Sequence, residues 1–204
     1  MKEKITKSFI SKSIPDCYLL SNFIDKEFSD QLIKEVLSLP LKRETIKMFG
    51  RDIEVPREII WMSNPGISYR YSGIQHSPYP WSTNIKILHN LIIKQIGDFN
   101  SVLINVYKTG EDYMGYHQDN EPEVDNSCGI FSLSLGQSRD FLFKSLADKQ
   151  KIIKIMLSNC DGLYMGPATL KDWKHALPKR KNIKKLRVNL TFRRIFPKSS
   201  LLKQ

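Results

Sequence analysis

The feature that most restricts the fold of this chain is a succession of short β-type segments after Phe99. Turn-forming residues separate these segments, and no stretch of helical periodicity lies between them. They cover residues 102–107, 129–135, 140–144, 151–157, 162–165 and 187–195. Because short strands joined by turns must each bury one face, this pattern favours a β-sandwich or a barrel.

Apolar residues at helical spacing predict two helices in the first half of the chain. One covers about residues 26–39 and ends at Pro40, and the other covers about residues 82–96 with Ser82 as its N-cap. We therefore predict a mainly β fold with some α-helix. Its core is a double-stranded β-helix (jelly roll), with helices from an N-terminal extension packed on one outer face.

A chain of 204 residues fits one domain with a substantial core. Residues 1–12 are basic and polar and are predicted to form a flexible arm. The domain would then cover residues 13–204, with an α-rich part at 13–99 and the jelly-roll core at 100–196.

Two histidines and one aspartate occur in an order typical of a non-haem iron site. His117 and Asp119 place their side chains on one face of an extended segment, and His175 follows much later. Two imidazoles and one carboxylate form the facial triad that binds Fe(II) and leaves positions open for a co-substrate and O₂. Lone His-x-Asp pairs are common, however, and His175 has an alternative interpretation as a partly buried strand histidine.

Two arginines share one face of the last predicted strand. Arg187 and Arg193 lie six residues apart, and the apolar Val188, Leu190 and Phe192 occupy the other face. Guanidinium binds carboxylates in a bidentate, charge-assisted way, as a dicarboxylate such as 2-oxoglutarate requires. The residue order therefore indicates an Fe(II)/2-oxoglutarate oxygenase, and the alternative for the arginines is a solvated strand edge.

The formal net charge of +11 predicts a polyanionic partner, with nucleic acid preferred to an anionic membrane surface. Residues 179–194 contain eight basic residues and no acidic one. We expect this segment to contact phosphates, although a solvated basic loop is the alternative. No apolar run is long enough to span a membrane, so we expect no membrane association, and we expect a monomer.

The three cysteines, Cys17, Cys128 and Cys160, are scattered without paired spacing. This set argues against a disulfide framework and against a zinc site, and it indicates a reducing intracellular compartment. The first residues lead into no apolar signal core. Nucleus and cytoplasm fit these observations equally.

Seven motifs follow one another between roughly residues 43 and 196. They are Val55-Pro-Arg, Tyr69-Arg-Tyr-Ser-Gly, Leu103-Ile-Asn-Val-Tyr, His117-Gln-Asp-Asn-Glu, Ser132-Leu-Ser-Leu-Gly with the later Arg139-Asp-Phe, Trp173-Lys-His-Ala-Leu-Pro and Arg187-Val-Asn-Leu-Thr-Phe-Arg. This ordered set resembles the AlkB family of Fe(II)/2-oxoglutarate-dependent nucleic-acid demethylases, particularly members that repair alkylated duplex DNA.

The resemblance implies oxidative demethylation of 1-methyladenine and 3-methylcytosine in DNA, with release of formaldehyde and succinate. Fe(II), 2-oxoglutarate and O₂ would be required, and His117, Asp119 and His175 would hold the iron. Nucleic acid would be the partner, with DNA preferred to RNA, and residues 13–99 would contribute nucleotide recognition. Two alternatives stay open: the same chemistry on methylated RNA, and a non-catalytic nucleic-acid-binding module with a vestigial site.

The resemblance also implies the co-substrate contacts. Arg187 would anchor the end of 2-oxoglutarate near the metal, and Arg193 would bind its far carboxylate. The other implied co-substrate residues are Asn105, Tyr107, Asn189 and Thr191. For Asn105 and Tyr107, the alternative is an ordinary half-buried strand with a polar face.

On the substrate side, Met48-Phe49-Gly50 matches the position of the hydrophobic finger in duplex-repairing relatives. An apolar residue inserted between base steps fills the gap that a flipped base leaves. A buried turn is the alternative for this segment. Arg57 is assigned to DNA beside the finger, or else to a surface charge.

Tyr69 and Tyr71 point to the same side of an extended segment, and the resemblance places them in the base pocket, with Tyr71 stacking on the flipped base. Glu121 would accept a hydrogen bond from the exocyclic amino group of that base. Arg139 matches a family arginine and is assigned to the substrate. The alternatives are two core tyrosines, a solvated loop acid and a salt bridge between Arg139 and Asp140.

Overall fold

The computed structural model describes residues 6–11, 13–14, 16–48, 50–71 and 74–197, with backbone alone at residues 6, 46–48, 69–71 and 74–76. Fifteen strands form, in chain order, among these residues. They are β1 (Thr6–Phe9), β2 (Cys17–Ser21), β3 (Thr45–Met48), β4 (Arg51–Glu54), β5 (Glu58–Ser63), β6 (Tyr69–Tyr71), β7 (Ile74–His76), β8 (Ser101–Tyr107), β9 (Met114–His117), β10 (Ile130–Gly136), β11 (Arg139–Ser145), β12 (Ile152–Leu157), β13 (Gly162–Met165), β14 (Trp173–Leu177) and β15 (Arg187–Arg193).

Two antiparallel sheets face each other at the centre of the molecule. The larger sheet has the strand order β1-β2-β13-β10-β15-β8-β5, and the smaller has the order β12-β11-β14-β9. The hairpins β3–β4 and β6–β7 form separate two-stranded sheets. This arrangement confirms the predicted jelly roll.

The helices cover the outer face of the larger sheet. They are α1 (Lys26–Leu37), α2 (Thr83–Gln95) and the short α3 (Pro167–Asp172), which the sequence analysis did not predict. Buried side chains of α1 and α2, such as Leu32, Ile85 and Leu88, pack against the outward-facing apolar residues of β8, β10 and β15. The positions 187, 189, 191 and 193 of β15 therefore face the smaller sheet, because strand side chains alternate.

Helix α2 begins with a cap that comes from another helix. Ser82 occupies the N-cap position as predicted, but its side chain makes no capping hydrogen bond. The Glu35 carboxylate of α1 instead accepts hydrogen bonds from the backbone nitrogens of Asn84 and Ile85, at 2.9 and 3.2 Å. A carboxylate also suits the positive end of a helix dipole, so Glu35 joins the two helices.

Part of the segment predicted to be a flexible arm is ordered. Residues 6–9 form β1, which pairs along its whole length with β2, whereas residues 1–5 and 12 lie outside the described residues. The prediction for residues 6–9 is therefore wrong, because backbone pairing at the sheet edge holds this basic segment in place. In the part of the chain that the structure describes, no helix is long and apolar enough to cross a membrane.

Candidate functional site: a metal cluster and an arginine-lined cavity

Three ligand-type side chains converge between the two sheets. His117 ends β9, Asp119 follows it by two residues, and His175 lies on β14 in register with His117. One donor atom from each lies within 4.8 Å of the others. The Nε2 atoms of His117 and His175 are 3.9 and 3.5 Å from the Asp119 carboxylate oxygens. The sequence analysis grouped these three residues, and the structure brings them together.

Hydrogen bonding fixes which nitrogen of His117 faces the cluster. Its Nδ1 lies 2.9 Å from the Gly115 carbonyl oxygen. Because a carbonyl can only accept, Nδ1 carries the proton and Nε2 presents its lone pair. Burial of the ring and the neighbouring His175 lower the pKa of His117 to about 4. The imidazole is therefore neutral near pH 7 and suited to bind a metal.

Asp119 is held in its ionised form. Burial favours the neutral carboxyl, but the charge of Arg193 and the two imidazoles outweigh burial, so the pKa of Asp119 lies well below its ordinary value. Arg193 Nη2 donates to Asp119 Oδ1 over 2.6 Å, and both side chains are buried. Two imidazoles and one carboxylate thus form a donor set that fits Fe(II) in a facial arrangement.

A cavity extends from the three metal-ligand candidates along the inner face of the larger sheet. Its polar part is built from alternate positions of three neighbouring strands, β8, β15 and β10. The lining side chains are Arg57, Leu103, Asn105, Tyr107, Met114, His117, Asp119, Ser132, Phe141, Met165, His175, Leu177, Arg187, Asn189, Thr191 and Arg193. The cavity therefore contains every co-substrate residue that the sequence analysis named.

Arg187 is a buried cation that the described residues do not neutralise. It is 2% exposed, its Nη2 donates to Ser134 Oγ over 2.9 Å, and its guanidinium lies 5.5 Å from the Tyr107 ring centroid. Its buried Nε has no hydrogen-bond partner, and within the described ranges it forms no ion pair. Burial lowers the pKa of Arg187 to about 10, so the group stays charged near pH 7.

This environment fits a carboxylate ligand. A buried guanidinium without a counter-ion is costly, and an anion that binds it in a bidentate way removes that cost. The cavity therefore has a metal-ligand cluster at one end and an unneutralised arginine beyond it, as binding of 2-oxoglutarate beside an iron ion requires.

The two arginines lie at opposite ends from those predicted. Arg193, assigned to the far carboxylate, contacts the metal-ligand candidate Asp119. Arg187, assigned to the metal end, pairs in register with Tyr107, six residues away along the same strand. The assignment of ends was wrong, because spacing shows that two residues share a strand face without showing which one meets the metal ligands.

The remaining co-substrate residues form a polar row between these ends. Asn105 and Asn189 lie directly opposite each other on β8 and β15. Asn189 donates to Ser132 Oγ at 2.7 Å and accepts from Thr191 Oγ1 at 3.0 Å. The sequence analysis missed the role of Ser132, although the alternation in Ser132-Leu-Ser-Leu-Gly places it on the same face as Ser134.

Arg57 lies inside the cavity and not on the surface. It is 3% exposed, and its Nε donates to Asn105 Oδ1 over 2.7 Å. Both interpretations of Arg57 from the sequence are therefore wrong in this structure, since a DNA contact and a surface charge each require exposure. Burial of an arginine is rare, which is why the sequence favoured the surface.

Arg139 is also buried, and it holds loops together. Its guanidinium donates to the backbone carbonyls of Thr109, Asp112 and Pro178, at 3.3, 3.0 and 2.8 Å. It is 1% exposed, which contradicts the predicted substrate contact. The alternative pairing with Asp140 is wrong as well, because Asp140 accepts hydrogen bonds from Arg180.

The remaining substrate-side predictions fall on the hairpins and on one loop. Met48 ends β3 and Gly50 follows in the β3–β4 turn with φ +74°, while Phe49 lies outside the described residues. Strand β4 and Gly50 are exposed, which contradicts the buried-turn alternative there. Tyr69 and Tyr71 lie on β6, of whose side chains the structure describes nothing.

Glu121 lies two residues beyond Asp119 and is half-buried. It belongs to the loop that leads from the metal cluster to the short helical turn at Asn126–Cys128. Its position close to Asp119 in the chain is compatible with the predicted contact to a base. That contact stays a prediction.

The basic segment of residues 179–185 is anchored beside this site. Gly110 N donates to Ile183 O at 2.8 Å, and Arg180 N donates to Gly110 O at 2.8 Å. A Cβ atom at Gly110 would lie 1.8 Å from Arg180 O, so only glycine allows this approach. Lys181, Lys184 and Lys185 are exposed.

The sequence of the chain matches one family model. Residues 16–193 match the model described as the 2OG-Fe(II) oxygenase superfamily. In structure, the protein titled "The structure of OsALKBH1" superposes with a TM-score of 0.64 at 20% identity, covering 88% of this chain and 98% of that one. At this identity the likeness supports the fold alone.

Curated relatives match across most of the chain. It is 35% identical over 160 residues to DNA oxidative demethylase ALKBH2 of Mus musculus, covering 74% of this chain and 67% of that protein. It is 35% identical over 177 residues to the Homo sapiens protein of the same name, covering 83% and 68%. It is 31% identical over 190 residues to Alpha-ketoglutarate-dependent dioxygenase alkB homolog 3 of Homo sapiens, covering 88% and 66%. The matches span about two thirds of these relatives.

Proposed function

The chain belongs to the 2OG-Fe(II) oxygenase superfamily and, within it, to the AlkB family, and from this premise we propose that it demethylates alkylated bases in DNA. It is a dioxygenase that uses Fe(II), 2-oxoglutarate and O₂. The reaction would convert 1-methyladenine and 3-methylcytosine to the unmodified bases, with release of formaldehyde, succinate and CO₂. Its purpose would be direct reversal of DNA damage.

One observation carries the proposal: His117, Asp119 and His175 converge at one end of a cavity whose other arginine, Arg187, has no anionic partner within the described ranges. The bound metal and co-substrate would supply oxidation of the N-methyl carbon, after which the hydroxymethyl group leaves as formaldehyde. The two imidazoles and the carboxylate would hold the metal. Arg187 would hold the far carboxylate of the co-substrate, and Arg193 would keep Asp119 ionised and in place.

Other features of the chain support nucleic acid as the substrate. The net charge is +11, and the exposed Lys181, Lys184 and Lys185 lie on a segment that is anchored next to the catalytic half. The curated relatives at 35% identity carry the name DNA oxidative demethylase, which favours DNA over RNA. Phosphate contacts provide sequence-independent affinity, as a repair enzyme requires.

The proposal is tested by formaldehyde release from matched oligonucleotides that carry one 1-methyladenine or 3-methylcytosine. Duplex DNA, single-stranded DNA and RNA of the same sequence form the three arms, each with Fe(II) and 2-oxoglutarate. We expect both DNA arms to exceed RNA, and we expect His117→Ala to abolish release. Faster turnover of RNA would move the function to RNA, and no release in any arm would overturn the proposal.

A further inference from the structure

Arg57 is a buried cation whose position suggests a role inside the cavity. It directly precedes β5, the strand that pairs with β8 on the edge of the larger sheet. Ile59 lies opposite Asn105 in this pairing, so Arg57, two residues earlier, extends on the same face as Asn105. Its Nε–H then reaches Asn105 Oδ1 at 2.7 Å.

This hydrogen bond decides how the Asn105 amide is oriented. An asparagine side chain has an accepting oxygen and a donating nitrogen of nearly the same size, so its neighbours determine the orientation. A guanidinium can only donate, and it therefore holds Oδ1 of Asn105 towards Arg57. The amide nitrogen must point the other way, and among the described residues it has no hydrogen-bond acceptor.

Asn105 lines the cavity midway along the polar row, opposite Asn189 and two residues from Tyr107. A donor directed into a cavity that already contains Arg187 and Arg193 suits an anionic ligand. With the amide reversed, Asn105 would present its oxygen to that ligand, and the two would repel each other.

We propose that Arg57 is a positioning residue for the co-substrate: it holds the Asn105 amide with its nitrogen turned towards a carboxylate or keto oxygen of 2-oxoglutarate. Arg57 acts through Asn105 and need not touch the ligand. Its charge has a second effect, since Arg57, Arg187 and Arg193 together outnumber the one acid of the cavity lining, Asp119, and so favour a dianion.

The inference rests on the proposed function only in its choice of co-substrate, and its test needs no nucleic acid. The dissociation constant of 2-oxoglutarate is measured by titration calorimetry with Mn(II) in place of iron. The variants are Arg57→Met, Asn105→Ala and the two combined. Methionine keeps most of the volume of the arginine stem and removes its donors and its charge.

We expect each single variant to raise the dissociation constant about tenfold, the effect of one hydrogen bond to a charged group. The combined variant should bind about as weakly as Asn105→Ala alone, because Arg57 acts through that residue. The KM for a methylated oligonucleotide should stay unchanged in Arg57→Met. Unchanged 2-oxoglutarate affinity in Arg57→Met, or independent, multiplying effects in the combined variant, would overturn the inference.

Lys108→Met is the matched control, because Lys108 pairs with Glu58 at 2.5 Å, directly beside Arg57 in the chain but outside the cavity lining. It should leave 2-oxoglutarate affinity unchanged. Should Arg57→Met fail to fold, Arg57→Lys replaces it: the charge is kept but the Nε–H is lost, and weakened binding is again expected. A protein that meets these expectations yet demethylates no nucleic acid would refute the proposed function and leave the role of Arg57 intact.

Discussion

The catalytic half and the substrate half of this protein are built in different ways. The metal cluster and the co-substrate row lie on strands that are paired on both edges, such as β8, β14 and β15, with their side chains buried between two sheets. The predicted finger and base pocket lie on the hairpins β3–β4 and β6–β7, which pair only within themselves.

This difference separates the two functions physically. Strand register and core packing fix the catalytic half, so a change there disturbs chemistry and folding together. The hairpins depend on local pairing, so substitutions in them can change which nucleic acid is accepted without moving the metal ligands. The predictions below test this separation.

The largest effect is expected for Asp119→Asn. The amide keeps the shape but removes the charge that binds the metal and pairs with Arg193. We expect iron content to fall and turnover to drop by at least about a thousandfold, equivalent to about 4 kcal/mol in activation free energy. Metal analysis and formaldehyde release measure both quantities on duplex and single-stranded DNA alike.

The control is Asp98→Asn, because Asp98 also pairs with an arginine, Arg194, but on the exposed surface. Surface pairs contribute little, so iron content and turnover should match the unmodified protein. If Asp119→Asn impaired one nucleic acid and spared the other, the catalytic half would not be independent of the substrate half.

The next effect concerns Arg187→Met, which should raise the KM for 2-oxoglutarate roughly a hundredfold, since charge-assisted bidentate contacts contribute up to about 3 kcal/mol. Saturating 2-oxoglutarate should restore most of kcat, because Arg187 lies away from the metal cluster. The protein without co-substrate should keep or gain thermal stability, because the variant removes a buried charge that no described residue neutralises. Steady-state kinetics and thermal unfolding measure these effects.

Arg193→Met provides the contrast for Arg187→Met. It removes the partner of Asp119, so lost iron and lower stability are expected rather than a simple rise in KM. The reverse pattern, with Arg187→Met losing iron and Arg193→Met losing 2-oxoglutarate affinity, would restore the ends assigned from the sequence.

The sequence predicted the fold because turns and alternation mark most strands of the core directly. Strands β9 and β14, which carry His117 and His175, were not located as elements, since they are short and mix glycine, lysine and aromatic residues without clear alternation. The helix α3 between β13 and β14 was missed for the same reason, as only six residues form it. The ligand set was nevertheless predictable, because it depends on residue order and not on strand bounds.

The failed predictions all concern arginines. Arg57 and Arg139 were placed at the surface because arginine is seldom buried. Their burial depends on tertiary partners: the Asn105 amide for Arg57, and three backbone carbonyls of separate loops for Arg139. Such partners are far apart in the chain, so no local pattern reveals them.

A smaller effect is expected when Lys181, Lys184 and Lys185 are all changed to Gln. Loss of up to three phosphate contacts should lower the slope of log affinity against log salt by about 3 and weaken DNA binding roughly tenfold at moderate salt. Saturating turnover on a short single strand should be unaffected. Binding titrations across salt concentrations give both values.

Changing Lys26, Lys34 and Lys94 to Gln is the control for this triple variant. These lysines are also exposed but lie on α1 and α2, on the outer side of the larger sheet. If both triple variants changed the salt slope equally, net charge alone would explain DNA binding and the anchored segment would have no special role.

The smallest effect is expected for Phe49→Ala, which tests the hairpin side of the comparison most directly. If residues 48–50 act as a wedge, the loss of the ring should slow demethylation of duplex DNA roughly fivefold, because nothing then fills the space of the flipped base. Single-stranded DNA has no such space, so its rate and the KM for 2-oxoglutarate should stay unchanged. Ile53→Ala is the control, since Ile53 is an exposed apolar residue on the same hairpin but away from its turn. Equal losses on duplex and single strands would show that the hairpin supports the catalytic half itself, and the separation of the two halves would then fail.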